Sequence, residues 1–540
     1  MICGAACKEA EAEKERGKAA AREVYAQNTR IADRRAWGAR RDQPQSGSTS
    51  LFNVAFAGNA VTVKDVLERE SKWAVDRDFT LPRLDDLVTN SRVEEMPVEL
   101  TSIYFDTAER DLLAHDLTLR RREGDDESGW QLKIPHSRGR VEVTAGLSDE
   151  LPHELTEIVN GAALGRPLTV VARVHTLRRR HRILGSGGEL IVEIDDDTVD
   201  STAADRPAEL LAWREIEIEL GPHTDKVPTI LRDRLAEAGA RESSYPSKLS
   251  HVLSERFGPA DAGSRAERAL HDYLTTQIDL IFVGDVGLRR GEEPIHDTRV
   301  ATRRLRSTLR VFDKLMDHSA IGEIDNELKW YAALLGDIRD CHVQRRRLDD
   351  ELNALPPELV LGPVAARIDA TLLARQLPSR TALAEAMNSP RYLRLLATLQ
   401  TWKSQPPFER RIRRRQLVKR ARRAAGKADR RLVTALRNHR HESMHRARKA
   451  AKRARYAAEL YKPVRKAAGA RSNIKYYKKI QRLLGDYNDS VVSTEFLWRI
   501  ATAAGTAGDE NGFTYGLLYA NEVHATKAAG QSVAAVVAGE

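Results

Sequence analysis

The stretch IHDTRVATRRLRSTLRVF, Ile295 to Phe312, decides how the second half of this chain folds. It holds no Pro or Gly, its apolar residues recur at helical spacing, and Pro294 stands just before it, where a helix start tolerates proline. His296, Arg299, Arg303, Arg306 and Arg310 follow one another at steps of 3, 4, 3 and 4. At about 100° per residue they fall within an arc of roughly 80°. One face of the helix is a ladder of cations. Such a ladder is unfavourable unless something anionic lies across it.

The pattern recurs. MHRARKAAKRARYAAEL, Met444 to Leu460, carries His445, Arg448, Lys452 and Arg455 at steps of 3, 4 and 3. Each basic helix is followed by a second signal, LGDIRD at Leu335 to Asp340 and LGDYND at Leu484 to Asp489. His296 to Gly336 is 40 residues, and so is His445 to Gly485, so the two copies are offset by 149. A solvated charged face does not repeat in register with a distant partner, so this is an internal repeat. Two such units face to face would line one groove with Arg, Lys and His, side chains that suit a polyanion with repeated phosphates. Asp337, Asp340, Asp486 and Asp489 are expected to hold some of these cations in place.

These two motif pairs resemble the halves of a CHAD domain across roughly 266–535. The resemblance implies an all-α domain of two repeated four-helix units, about 266–410 and 411–535, that binds inorganic polyphosphate in a basic groove.

The whole chain of 540 residues is long enough for more than one domain. Its net charge of +10 points to an acidic partner. Three cysteines, Cys3, Cys7 and Cys341, make no disulfide framework and fit a reducing cytosol. No apolar run is long enough for a membrane span, and no apolar segment near the N-terminus reads as a secretory signal. Residues 1–60 are charged and Ala-rich, without an apolar period, and no function is read from them. The dense run ERRIRRRQLVKRARRAAGKADRR, Glu409 to Arg431, reads either as a solvated connector helix or as a contact for polyanion or nucleic acid. Few aromatics interleave with it, which disfavours nucleic acid.

From residue 61 to 257 the texture is that of strands. VKDVLERESKWAV puts Glu68, Glu70 and Lys72 on one side of a strand. LTLRRR aligns Arg120 with Arg122, GWQLKIP aligns Lys133 with Gln131, and GRVEV alternates Arg140 and Glu142. Glu193, Asp195 and Asp197 share a face, as do Glu215, Glu217 and Glu219 in REIEIEL. Helical segments are expected near Leu84–Asn90, His153–Asn160 and Val227–Ala238. Three same-face glutamates repel one another on a plain surface. A sheet closed into a barrel would gather them in a polar lumen. There carboxylates would chelate Mg²⁺ or Mn²⁺ and the cations would hold phosphates, the equipment of phosphoanhydride hydrolysis.

The ordered set resembles the CYTH domains, or triphosphate tunnel metalloenzymes. It comprises ExExK at Glu68 to Lys72, YFDT at Tyr104 to Thr107, LRRR, GWQLKIP, REIEIEL and SKL at Ser247 to Leu249. The resemblance implies an eight-stranded antiparallel β-tunnel acting on triphosphates with a divalent metal. It implies catalytic roles for Glu68, Glu70 and Lys72, and metal-side roles for Glu68, Glu70, Glu193, Asp195, Asp197, Glu215, Glu217 and Glu219. Lys72, Arg120, Arg122, Lys133 and Lys248 would meet phosphates. RRRHR adds Arg178, Arg179 or Arg180, with Arg178 the first choice. FGPADAGS reads as a linker to the helical half, about 258–265. The joint expectation is a triphosphatase of the cytoplasm, associated with polyphosphate granules. Its rivals are a non-catalytic polyphosphate binder, an adenylyl cyclase and a nucleic-acid binder.

Overall fold

The computed structural model describes residues 64–539 except 89, 125–127, 138, 225, 254–262, 410, 465–467 and 506–510. The expectations for residues 1–60, for Cys3 and Cys7, for most of the linker and for Arg410 lie outside the described residues. No helix among them is long and apolar enough to cross a membrane.

The strands are β1 (Lys64–Glu68), β2 (Glu70–Val75), β3 (Arg92–Asp106), β4 (Thr118–Glu123), β5 (Gly129–His136), β6 (Gly139–Ala145), β7 (Thr169–Leu184), β8 (Leu190–Ala203), β9 (Arg206–Leu220) and β10 (Arg241–Glu242). They form one antiparallel sheet in the order β1-β6-β5-β4-β3-β7-β8-β9-β2-β10. The described sheet thus has ten strands rather than the expected eight. The two extra strands have plain causes. The stretch read as one strand breaks at Arg69 into β1 and β2, and a two-residue β10 pairs with β2 at Trp73 and Ala74.

The break at Arg69 also closes the tunnel. β1 pairs with β6 at one end of the sheet order, and β2 pairs with β9 near the other end. One residue joins the two edges. The Arg69 carbonyl accepts from the Leu220 amide at 3.1 Å. Gly139, at φ 148°, comes so close to the Glu68 carbonyl that a Cβ would stand 2.0 Å from it. Only glycine fits there.

Along its C-terminal half β9 covers both of its faces. Ile216 and Ile218 point outward, under Leu231 and Leu235 of a helix at Thr229–Glu237, while Glu215, Glu217 and Glu219 point inward. In chain order the tunnel helices are α1 (His153–Val159), α2 (Thr229–Glu237) and α3 (Lys248–Val252). The described residues of Leu84–Asn90 hold turns and bends instead of the expected helix, and Asn90 is left-handed at φ 61°.

Nine helices follow among the described residues: α4 (Arg265–Arg289), α5 (Ile295–Phe312), α6 (His318–Asn353), α7 (Val364–Met387), α8 (Pro390–Ser404), α9 (Arg414–Asn438), α10 (His441–Tyr461), α11 (Ala468–Ala504) and α12 (Phe513–Ala538). The first unit therefore has five helices rather than the expected four. Ser389 starts the extra one by accepting from the Tyr392 amide at 3.2 Å, with Pro390 at its first position. This helix, α8, packs on α4 and reaches the tunnel domain.

The two domains share one core. Leu119, Trp130, Leu132 and Val143 on the outside of the tunnel belong to the same apolar cluster as Leu270, Leu274, Ile278 and Phe282 of α4. The junction is polar at its rim. Gln400 of α8 donates to Asp111, His115 lies 2.8 Å from Gln400, and Lys403 donates to the Ala114 carbonyl at 2.7 Å.

Candidate functional site

Strand alternation builds the tunnel site. Glu68 faces Arg140 across β1 and β6, Lys72 faces Glu217 across β2 and β9, and Lys133 faces Glu142 across β5 and β6. Lys133 lies 2.5 Å from Glu68 and 3.3 Å from Glu142. Lys72 pairs with Glu217 and stands 3.3 Å from Glu70. Arg120 donates to Gln131 at 2.7 Å and to the Tyr104 hydroxyl at 3.3 Å, and so is held in position. Arg122 lines the same lumen.

The Arg178–Arg180 run is decided by register. Arg178 and Arg180 point into the lumen opposite Asp197 and Asp195, while Arg179 points out and donates to Asp196 at 2.7 Å. Asp196 is therefore outside the lumen, held also by Arg214 at 2.8 Å.

The eight carboxylates expected to face metal divide into two groups. Oxygens of Asp197, Glu215 and Glu217 lie within 4.8 Å of one another. Lys248, at the start of α3, stands 2.8, 2.7 and 2.8 Å from these three side chains. Burial would push Glu217 up, but Lys248, Lys72 and Arg178 hold it well below the usual range. The second group is less compensated. Burial and neighbouring Glu142 lift Glu68 to about 7 against Lys133. Burial, then Glu68, lifts Glu219 to about 8, and burial with Asp197 and Glu193 lifts Asp195 to about 7 against Arg178. Glu193 lies 3.1 Å from Arg180. Glu70 differs: burial would raise it, and Lys72 and Lys133 bring it to about 2. Hard carboxylate oxygens in this number and density fit a divalent cation such as Mg²⁺ or Mn²⁺.

The second site is a groove of about 1090 Å³ between α5, α6, α10 and α11. His296, Arg299 and Arg303 meet His445, Arg448, Lys452 and Arg455 there. The repeat is visible in the packing. A Cβ on Gly336 would stand 3.4 Å from the Arg299 guanidinium, and one on Gly485 would stand 3.6 Å from that of Arg448. Arg299 pairs with Asp340 and Arg448 with Asp489. Asp337 and Asp486 make no ion pair among the described residues. Arg306 and Arg310 do not line the groove; both pair with Asp325, at 3.1 and 2.6 Å. Arg303 donates to the Tyr456 hydroxyl at 3.2 Å. Lys452 has no partner among the described residues. Burial, with Arg448, Arg303 and Arg299 beside it, pushes it down to about 6.

Both halves now carry their family's geometry, and the comparisons agree with it. The CYTH domain profile matches residues 67–251 and the CHAD domain profile residues 272–498. An uncharacterized protein of Mycobacterium tuberculosis, Rv2226 in strain H37Rv and MT2285 in strain CDC 1551, is 35% identical over 489 residues, 84% of this chain and 93% of that protein. This chain belongs to the CYTH–CHAD proteins. Two solved structures are also similar. PptA from Streptomyces chartreusis is 19% identical with a TM-score of 0.43, covering 50% of this chain and 97% of its own. The CHAD domain from the plant Ricinus communis is 24% identical with a TM-score of 0.39, covering 51% and 94%.

Sequence reasoning left several residues of this CYTH–CHAD protein out of its sites. Tyr104, Arg140 and Glu142 were within reach of strand parity, since Arg140 and Glu142 alternate in the quoted β6. Arg339 and Arg347 line the groove from α6, and their spacing of eight through Val343 was the available signal. Lys475, Lys479 and Arg482 enter from α11, and only packing could select them within KYYKKIQRLL.

Proposed function

We propose that the tunnel hydrolyses inorganic triphosphate or a related polyphosphate with Mg²⁺ or Mn²⁺, and that the groove binds polyphosphate. The observation that supports this most is the composition of the lumen. Lys72, Lys133, Lys248, Arg120, Arg122 and Arg178 surround one narrow space together with Glu68, Glu70, Asp195, Glu217 and Glu219. Among the described residues, Tyr104 is the only aromatic side chain lining it. That favours a bare phosphate chain over a nucleotide, whose base would want a stacking face.

The basic side chains take the phosphate oxygens. Arg120 is fixed by Gln131 and Tyr104, so its binding geometry is set in advance. Lys72 and Lys133 exchange a glutamate for a phosphate oxygen as substrate enters. Glu68, Glu70, Glu217 and Glu219 would hold the metal, which when bound neutralises phosphate charge and activates water. Glu193, Asp195, Asp197 and Glu215 support them by holding Arg178, Arg180 and Lys248.

A second reading has its own observation. Lys248 sits among the three carboxylates whose oxygens lie closest, where a metal would otherwise bind. On that reading the tunnel is idle and the protein only binds polyphosphate.

Phosphate release from triphosphate, ATP, thiamine triphosphate and long polyphosphate, with each metal and with chelator, separates the two. The expected result is metal-dependent turnover of triphosphate. Glu70→Gln should lower it by roughly 100-fold or more, the scale of losing one preorganised electrostatic group. Unchanged turnover in that variant removes the tunnel from the reaction. No turnover by the wild type, with long polyphosphate still bound, establishes the second reading.

A further inference from the structure

Outside the groove, α9 carries ten Lys and Arg against one acid, Asp429. That acid is engaged: it accepts from the Tyr477 hydroxyl at 2.8 Å. The helix is sharply two-faced. Leu417, Ala421, Ala428, Leu432 and Ala435 are buried against the domain. Arg415, Lys419, Arg422, Arg423, Lys427 and Arg430 are exposed and line one shallow, open hollow. None of these six makes an ion pair among the described residues. Arg415, Lys419, Arg422 and Arg430 share a narrow arc, and the cations extend over roughly 23 Å at 1.5 Å per residue.

Further cations lie between this strip and the groove. Arg453 follows the groove residue Lys452 on α10 and is half-buried. Burial, then Arg310, Arg431 and Arg306, push its guanidinium below the usual range, so these four cations stand close together. They lead from the outer turns of α5 across α10 to α9. Among the described residues, Asp325 pairs with Arg310 and Asp313 lies 3.7 Å from Arg420 along this path.

We propose that the exposed face of α9 is a second polyphosphate-binding track that holds the part of a long chain extending beyond the groove. The proposal rests on the reading of the groove as a polyphosphate site. The chemistry selects the ligand. No aromatic residue lies between Arg414 and Asn438, so the strip offers no platform for nucleobases. Its apolar face is already buried in the domain and cannot enter a lipid surface. An unbranched run of phosphates needs only spaced cations. The device gives chain-length selectivity: short chains fill the groove alone, and long chains engage both surfaces.

Gly426 offers a gentle test. It lies amid the strip, and a Cβ there would meet only Arg430, at 3.5 Å. Gly426→Glu therefore places a carboxylate among the cations without removing one, and Gly426→Ala controls for the side chain. The full chain, in chelator, is titrated with tripolyphosphate and with long-chain polyphosphate over a range of salt. A triple variant, Arg415→Gln, Lys419→Gln and Arg422→Gln, is measured alongside. The expected result is a loss of about 10-fold or more for long chains only, with a log–log salt slope shallower by about 2 in the triple variant. Equal loss for both lengths, or no loss for either, overturns the proposal. So does a triple variant that loses single-stranded RNA or anionic vesicles while keeping long polyphosphate. A groove variant, Arg303→Gln with Lys452→Gln, tells the two readings apart. If it leaves all polyphosphate binding intact, the groove reading has failed; if it weakens both lengths while the strip variants do nothing, only the strip has failed.

Discussion

Arg299 donates to Asp340 at 2.6 Å, directly above the Gly336 backbone. The same contact recurs 149 residues later in looser form, with Arg448 3.9 Å from Asp489. The aspartates restrain these guanidiniums without burying them. Arg299→Gln with Arg448→Gln should change thermal stability little, since both ion pairs are partly exposed and the second is loose at 3.9 Å. Polyphosphate affinity should fall by roughly 10- to 100-fold, with a salt slope shallower by about 1.5. Isothermal titration at two salt concentrations would check it, and an unchanged slope would count against contact with phosphate.

If the groove binds polyphosphate as proposed, Lys452 should make that binding pH-dependent. It sits at about 6 in the free groove, held down by burial and by Arg448, Arg303 and Arg299. A phosphate chain would raise it toward the ordinary lysine range. Near neutral pH the complex therefore takes up a proton, and affinity rises as pH falls toward about 6. His296 and His445, also pushed down by burial, add uptake at lower pH. Calorimetry in buffers of different ionisation enthalpy should show this uptake, and Lys452→Met should lose the neutral-pH part. Identical uptake in that variant would exclude Lys452 as its source.

Lys248 pairs with Asp197, Glu215 and Glu217 at once. Lys248→Met leaves buried Glu215 without its cation and Asp197 and Glu217 with one fewer, and should destabilise the protein by about 3–5 kcal/mol. Divalent cation should raise the melting temperature more in this variant than in the wild type, because the trio loses the ammonium its three members share, while Arg178 and Lys72 still hold Asp197 and Glu217. A melting series with Mg²⁺, Mn²⁺ and chelator measures both. An equal metal response would argue that this trio does not bind metal.

Arg178 and Arg179 are neighbours in sequence on opposite faces of β7. Arg178→Met should raise the KM for triphosphate at least ~10-fold, as a phosphate contact is lost. Arg179→Met should leave KM alone and change stability by less than about 1 kcal/mol, because Arg179 is itself exposed and buried Asp196 keeps both bonds from Arg214. The reverse result would place the register one residue out.

Phe282 is 2% exposed and stacks on His115 of the tunnel domain with ring centroids 3.7 Å apart. It belongs to the cluster common to both domains. Calorimetry of the wild type should give one cooperative transition. Phe282→Ala should lower it by about 3–5 kcal/mol. Two separate transitions in the wild type would show that the shared core does not couple the domains.

The sequence by itself determined the periodicities. Alternation placed Glu68, Glu70 and Lys72 together, and Glu215, Glu217 and Glu219 together, because a strand sends successive side chains to opposite faces. The steps of three and four placed the groove cations on α5 and α10, because a helix repeats at 3.6 residues. What periodicity cannot supply is the partner across space. Tertiary structure decided that Arg69 interrupts a strand and closes the sheet, since this depends on the close approach of Gly139. It decided that Arg306 and Arg310 turn to Asp325, since an acid on another helix reached them first. It also decided that α4 and α8 bind the tunnel wall. Leu119, Trp130 and Leu132 read as one apolar face like any other, and only the packed chain shows that the second domain covers it.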